Sequence, residues 1–188
     1  EQGTHLCCSI GFLTEKQALM LKEAGLDRIN HNLNSSRAYY HNICSTHTFE
    51  QRVANIKMLQ GLGFEICSGG IIGMGESKED VVDMLLELRE IRPEALPINF
   101  LLPIPGTPLE HADMSALTTA YCMKVLCLAR LLVPQSDIRC AAGREIYFKG
   151  EEKNLLRVVD SIFASGYLTA GGQGIKDTIQ AIEDAGFT

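Results

Sequence analysis

Two cysteines, three asparagines and one arginine occupy predicted strands of this chain at positions where their side chains could bind a metal ion or a polar ligand. Side chains alternate between the two faces of a strand. This rule places a thiol, an amide or a guanidinium on the same face of successive strands, and an apolar residue on the other face. The polar face carries Cys7, Asn32, Asn34, Cys67, Asn99 and Arg139. Each such group costs roughly 1–3 kcal/mol when it is buried unpaired, so the pattern predicts a binding cavity.

Alternative interpretations exist for each of these polar side chains. Arg139 could form a structural salt bridge with Glu65 or Asp137, because a guanidinium rarely enters a protein core without an anionic partner. Cys7 and Cys67 could be inert core thiols, the commonest state of a buried cysteine. We expect that inert state for the cysteines on apolar faces or inside a hydrophobic helix, which are Cys8, Cys122, Cys127 and Cys140.

The segment 65–76 carries the most information in the chain, since it joins a short buried strand to a glycine-rich turn. Glycine lets a backbone approach a ligand closely, and a helix N-terminus favours anionic groups. Ser77 and Asp80 have the spacing of a capping box, which predicts that a helix starts there. The segment therefore indicates a cofactor site, the alternative being an ordinary strand–turn–helix junction.

Strand and helix patterns alternate along the whole chain and predict six β/α units. The predicted strands are 4–10, 28–34, 64–71, 96–101, 137–142 and 161–165, and the predicted helices are 14–24, 48–62, 77–91, 115–132, 151–159 and 175–185. A regular β/α repeat favours a parallel barrel. A complete TIM-type (β/α)8 barrel has eight units and about 250 residues. We therefore expect a partial barrel that lacks its first two units.

Composition excludes several classes of function. The 188 residues carry a net charge of −6 and no long basic run, so nucleic acid is not an expected partner. The apolar runs are too short to cross a membrane. The seven cysteines form no Cys-x2-Cys pair, and their odd number argues against a disulfide scaffold. Reduced thiols in the cytoplasm are the expectation.

Several motifs resemble those of the biotin synthase family of radical S-adenosylmethionine (SAM) enzymes, which have a TIM-type barrel. They follow the family's order over nearly the whole chain. The matching motifs are N-H-N-L-N at 30–34, Y-H-N-I at 40–43, T-F-E-Q-R at 48–52, C-S-G-G-I-I-G at 67–73, P-I-N at 97–99, G-T-P-L at 106–109 and A-G-R-E at 142–145.

This resemblance implies sulfur insertion into dethiobiotin to form biotin. In that family a 4Fe–4S cluster reduces SAM, and the resulting 5′-deoxyadenosyl radical abstracts hydrogen from the substrate. A second cluster, of the 2Fe–2S type, donates the sulfur. The resemblance places Cys7, Cys67 and Arg139 as ligands of this 2Fe–2S cluster, and so assigns them catalytic as well as metal-binding roles.

The same resemblance implies the residues that bind SAM and substrate. Asn32, Asn34 and Asn99 would contact SAM or dethiobiotin between the two clusters. Arg52 would lie near the charged end of SAM, and Ile71 would present its backbone and side chain to the adenine. Asn34 stands where some members of the family have Asp, and either side chain can hydrogen-bond a hydroxyl group.

One departure from the family is large: the Cys-x3-Cys-x2-Cys motif that binds the 4Fe–4S cluster is absent from these 188 residues. We therefore expect residues 1–188 to be one radical SAM barrel truncated at its N-terminus, inactive alone, with the family's C-terminal segment from about 100 onward in the same barrel. Open sheet edges would make it prone to aggregation.

The family also implies partners: an electron-donor protein such as flavodoxin, and a second copy in a homodimer. Two other functions compete with biotin synthesis. One is another radical SAM barrel, of the hydrogenase-maturase or methylornithine-synthase type, which would not be expected to combine Cys7, Cys67 and Arg139. The other is a non-catalytic module that binds an iron–sulfur cluster.

Overall fold

A computed structural model describes residues 5–163 and 174–187, which form a curled parallel sheet of six strand positions. The strands are β1 (Cys7–Cys8), β2 (Arg28–Asn30), β3 (Glu65–Cys67), β4 (Gly70–Ile72), β5 (Ala95–Phe100), β6 (Asp137–Cys140) and β7 (Ser161–Ile162). Their order is β1-β2-β3-β5-β6-β7, and β4 pairs with β5 beyond the end of β3. All pairings are parallel. The predicted partial TIM-type barrel is confirmed as a half-barrel.

Helices separate most of the strands. They are α1 (Glu15–Glu23), α2 (Tyr40–Ile43), α3 (Phe49–Gly61), α4 (Lys78–Ile91), α5 (Thr119–Leu132), α6 (Arg144–Tyr147), α7 (Glu152–Leu155) and α8 (Ile175–Asp184). The sequence did not predict α2 or α6, and α7 is shorter than the predicted 151–159. Helix α5 begins later than predicted because Thr118 caps it, accepting a hydrogen bond from the Tyr121 amide. Within the described ranges no helix is long and apolar enough to cross a membrane.

Most of the strands are shorter than predicted, and β5 is as long as predicted but begins one residue earlier. Residues 64–71 were expected as one strand, but β3 and β4 are separated at Ser68 and Gly69, where the backbone passes close to Pro97. Strand β1 covers two residues of the predicted 4–10, since it lies at a sheet edge and pairs only with β2. Of the predicted strand 161–165, the last two positions lie outside the described residues.

The hydrophobic core lies between the sheet and its helices. One isoleucine from each of four strands is fully buried there: Ile29, Ile66, Ile98 and Ile138. These residues alternate with the polar positions of the same strands, so the predicted division of the strand faces is confirmed. Cys122 and Cys140 lie in this core, and burial raises the pKa of each thiol to about 12. Cys8 packs against the core, and Cys127 is half-buried outside it.

Removing the cap of α4 gives a first test of local stability. Ser77 Oγ accepts a hydrogen bond from the Asp80 amide (3.1 Å), and the Asp80 carboxylate accepts one from the Ser77 amide (2.9 Å), which confirms the predicted capping box. We expect Ser77→Ala to lower the free energy of unfolding by about 1 kcal/mol. Urea unfolding followed by circular dichroism measures this. Ser45→Ala, in an exposed loop, is the control, and an equal loss there would contradict the capping role.

Candidate active site in the half-barrel

Two thiols lie on the concave face of the sheet, on strands that are separated by one other strand. Cys7 belongs to the edge strand β1 and Cys67 to β3, with β2 between them. Cys67 is buried, and the Asn30 side-chain amide donates a hydrogen bond to its sulfur (Nδ2 to Sγ, 3.3 Å). Cys7 lies closer to the open edge and is solvent-accessible. The geometry therefore brings together the two cysteines that the sequence singled out.

Burial and charge act in opposite directions on these thiols. Desolvation raises the pKa of both, and the pKa of Cys7 is raised further by the neighbouring charge of Cys67. Cys7 has solvent access, yet protein atoms surround its sulfur on enough sides for desolvation to be the largest cause. The positive charges of Arg28 and Arg139 lower the pKa of both thiols, partly offsetting the burial. The site thus combines protonated thiols with cations that favour thiolates.

Arg139 extends from β6 toward the same face. Its Nε donates a hydrogen bond to Ser161 Oγ on β7 (2.8 Å), and in the described part of the chain it forms no ion pair. The alternative interpretation of Arg139, a salt bridge with Glu65 or Asp137, is not what the described residues show. Glu65 pairs instead with Arg28 (2.5 Å), and Asp137 is exposed to solvent. Arg139 therefore acts on both thiols without a neutralising carboxylate.

The side chains at this site fit part of a cluster-binding site. Thiolates are the standard ligands of iron–sulfur clusters, and metal binding deprotonates a thiol whose pKa is otherwise raised. Cys7 and Cys67 with the cation Arg139 match that chemistry. However, the described residues contain no group of three or more His, Cys, Asp or Glu side chains placed to hold a metal. The pair of thiols must be completed by other groups to hold a cluster.

The predicted amide side chains lie farther along the strands, around the break between β3 and β4. Asn32 Oδ1 accepts a hydrogen bond from the Gly69 amide (3.1 Å), and Asn99 Nδ2 donates one to the Gly70 carbonyl (3.2 Å). Asn99 Oδ1 also accepts from the Ala142 amide (3.2 Å). Asn34 has a positive φ of 71° and bridges to Gly70. The side chains of Asn32 and Asn99 and the backbone of Asn34 hold the backbone of the break in position.

The glycine turn after β4 is less available to anions than the sequence indicated. The amides of Gly73 and Met74 donate to the Glu76 carboxylate at 2.7 and 2.8 Å. Ile71 is half-buried in β4, in register with Asn99, and its amide donates to the Asn34 carbonyl (2.9 Å). The amide of Ile71 is therefore already bonded within the protein.

Arg52 lies apart from the thiols. It projects from α3, and its three nitrogens contact three different groups: Nε donates to Tyr40 Oη (2.6 Å), Nη1 to the Asn32 carbonyl (3.0 Å) and Nη2 to His47 Nε2 (2.6 Å). Its guanidinium also lies over the Phe12 ring, 5.4 Å from the centroid. Arg52 therefore ties the segment after α2 to the end of β2, next to Asn32.

Sequence reasoning did not select three side chains of this site. The alternation that places Asn32 on the polar face also places Asn30 there, but Asn30 was not counted among the candidate residues. Arg28 lies two residues before Asn30 on β2, and Ser161 is the hydrogen-bonding partner of Arg139. No pattern in the sequence identified Ser161, since its contact depends on the pairing of β6 with β7.

Comparisons with known proteins agree with this geometry. Residues 2–88 match the model of the radical SAM superfamily, and residues 97–188 match the Biotin and Thiamin Synthesis associated domain. Among solved structures, methylornithine synthase (PylB) superposes with a TM-score of 0.78 at 18% identity, covering 99% of this chain and 59% of that one. HydG, the FeFe-hydrogenase maturase from Carboxydothermus hydrogenoformans, gives 0.75 at 15% identity, covering 97% and 47%. These likenesses concern the fold.

Curated relatives are much more similar in sequence. Biotin synthase from Renibacterium salmoninarum is 44% identical over 182 residues, covering 97% of this chain and 53% of that protein. Biotin synthase from Acaryochloris marina is 42% identical over 187 residues, covering 100% and 54%. The chain thus spans about half the length of the curated relatives it matches. The half-barrel is that of a radical SAM protein. Within that superfamily, the chain belongs to the biotin synthase family.

Proposed function

We propose that the protein containing this chain forms biotin by inserting sulfur into dethiobiotin. The observation that carries the proposal is the meeting of Cys7, Cys67 and Arg139 on one face of a sheet, in a chain 42–44% identical to biotin synthases along its length. The fold alone would not distinguish this activity from those of other radical SAM proteins. The combination of two thiols with an arginine does.

In this proposal Cys7, Cys67 and Arg139 hold a 2Fe–2S cluster with a further ligand from outside the chain. When bound, the clusters and SAM supply the sulfur atom and the radical. The chain's own residues prepare the site: the Asn30 amide orients the Cys67 sulfur, and Ser161 fixes the Arg139 side chain. The 4Fe–4S cluster has no Cys-x3-Cys-x2-Cys motif in this chain and belongs to the rest of the protein.

SAM and dethiobiotin are proposed to bind above the thiols, at the break between β3 and β4. Asn32, Asn34 and Asn99 would present their remaining polar atoms, because an amide group has more donors and acceptors than its backbone bonds use. Ile71 would pack its side chain on the adenine. Arg52 would place positive charge near the charged end of SAM while bonded to the Asn32 carbonyl.

The wider organisation is part of the same proposal. In this proposal residues 1–188 are part of one radical SAM barrel, to which the segment from about 100 also belongs, and the other units of the barrel are supplied from outside this chain. The protein receives electrons from a donor such as flavodoxin and forms a homodimer. Seven free cysteines suit the reducing cytoplasm.

The coding DNA and the enzyme assay test this function together. We expect the reading frame upstream of Glu1 to encode Cys-x3-Cys-x2-Cys. The full-length protein, reconstituted anaerobically with iron and sulfide, should convert dethiobiotin to biotin and SAM to 5′-deoxyadenosine, measured by mass spectrometry. A start codon at Glu1 would contradict the proposal. So would a protein that carries both clusters and cleaves SAM without forming biotin, a result that would favour another radical SAM activity.

A further inference from the structure

Arg28 is a second arginine at the thiol site, placed between the two cysteines. It is the first residue of β2 and lies in register with Cys7 on β1 and with Glu65 on β3. In a parallel sheet, register partners project to the same face. Arg28 therefore projects to the thiol-bearing face, next to Cys7 and two residues before Asn30, the partner of Cys67.

Glu65 holds this guanidinium in place. Both Nε and Nη2 of Arg28 donate to the same carboxylate oxygen, Glu65 Oε2, at 2.8 and 2.5 Å. The Arg28 side chain is 21% exposed, so the pair is only partly shielded from solvent. A charge-assisted pair of this kind orients the arginine more than it stabilises the fold.

The position of Arg28 brings its positive charge close to both thiols. It is in register with Cys7, and it precedes by two residues Asn30, which is in register with Cys67 and hydrogen-bonded to the Cys67 sulfur. Arg28 acts from β2, beside Cys7, whereas Arg139 acts from β6, beyond Cys67. Two cations therefore lie at the site, Arg28 between the two thiols and Arg139 on the far side of Cys67, although the sequence pattern pointed to one.

We propose that Arg28, oriented by Glu65, sets the reduction potential of the iron–sulfur cluster held by Cys7 and Cys67. This inference rests on the proposed function. Reduction adds a negative charge to a cluster, and a fixed cation nearby favours the reduced state. Arg28 thereby makes the cluster easier to reduce without contacting the substrate.

The test is a redox titration of the visible 2Fe–2S absorbance in the full-length protein, reconstituted anaerobically. We expect Arg28→Gln to lower the midpoint potential and Arg28→Lys, which keeps the charge, to restore most of it. Glu65→Gln removes a negative charge while leaving Arg28, so it should move the potential in the opposite direction. Arg37→Gln, a surface arginine paired with Glu50 and Glu87, should leave the potential unchanged.

The possible failures can be told apart. A wild-type protein that assembles no 2Fe–2S cluster contradicts the proposed function. A wild-type cluster whose potential is unchanged by both Arg28→Gln and Glu65→Gln overturns the role of Arg28 alone. Should Arg28→Gln fail to assemble a cluster, Arg28→Lys and Glu65→Gln decide the question. In that case a lower potential in Glu65→Gln overturns the inference. An unchanged potential in both Glu65→Gln and Arg28→Lys, equal to that of the Arg37→Gln control, also overturns it.

Discussion

Replacing Cys67 with Ala in the full-length protein is expected to abolish biotin formation and the visible absorbance of the 2Fe–2S cluster. Cys67 is buried and its sulfur is hydrogen-bonded by Asn30, so no solvent ligand can readily take its place. Cleavage of SAM should continue, because the proposed function places the ligands of the radical-generating cluster outside this chain. Biotin and 5′-deoxyadenosine, measured in the same reaction, separate the two effects.

A second cysteine provides the matched control for this substitution. Cys127 lies on α5, half-buried and away from the concave face of the sheet. Cys127→Ala makes the same chemical change and should leave both the absorbance and biotin formation at wild-type values. Biotin formation by Cys67→Ala at the wild-type rate would remove Cys67 from the cluster-binding site. Equal losses in both variants would indicate a general effect on folding.

The alternation of strand side chains was enough to predict the half-barrel and the face on which the thiols meet. Ile29 and Ile66 point to the helices, while Asn30 and Cys67 point to the concave face, and both assignments depend only on the period of two. A parallel sheet then brings equivalent positions of neighbouring strands together. This is why residues 60 positions apart in the sequence, Cys7 and Cys67, could be paired without a structure.

The partners of the charged side chains could not be predicted in the same way. Glu65 has Arg28 directly opposite it, whereas Arg139 is two strand positions away, but the sequence contains no information on register. The break at Gly69 was also missed, because it results from the approach of Pro97 from a strand that follows later in the chain. Contacts of this kind are set by tertiary packing, which local patterns do not encode.

The break itself leads to the largest expected effect on stability. A Cβ atom on Gly69 would lie 1.8 Å from the Pro97 carbonyl oxygen and 2.7 Å from its carbonyl carbon. Both are backbone atoms of β5, so no side-chain rotation can relieve the clash. Overpacking typically costs about 1–3 kcal/mol, and we expect Gly69→Ala to exceed that range because the backbone must move.

The expected consequence of Gly69→Ala is a sharp fall in soluble yield and in the urea midpoint of whatever protein remains folded. The site should suffer as well, since the Gly69 amide donates to Asn32 Oδ1 and its carbonyl accepts from the Asn34 amide. Gly61→Ala, at the end of α3 with no atom within 4 Å of the added Cβ, is the control. Because alanine favours a helix by roughly 0.5–1 kcal/mol over glycine, that variant should unfold at a higher urea concentration than the wild type. A Gly69→Ala protein that unfolds at the wild-type midpoint would show that β3 and β5 can separate at the break, and that the thiols do not depend on this contact for their position.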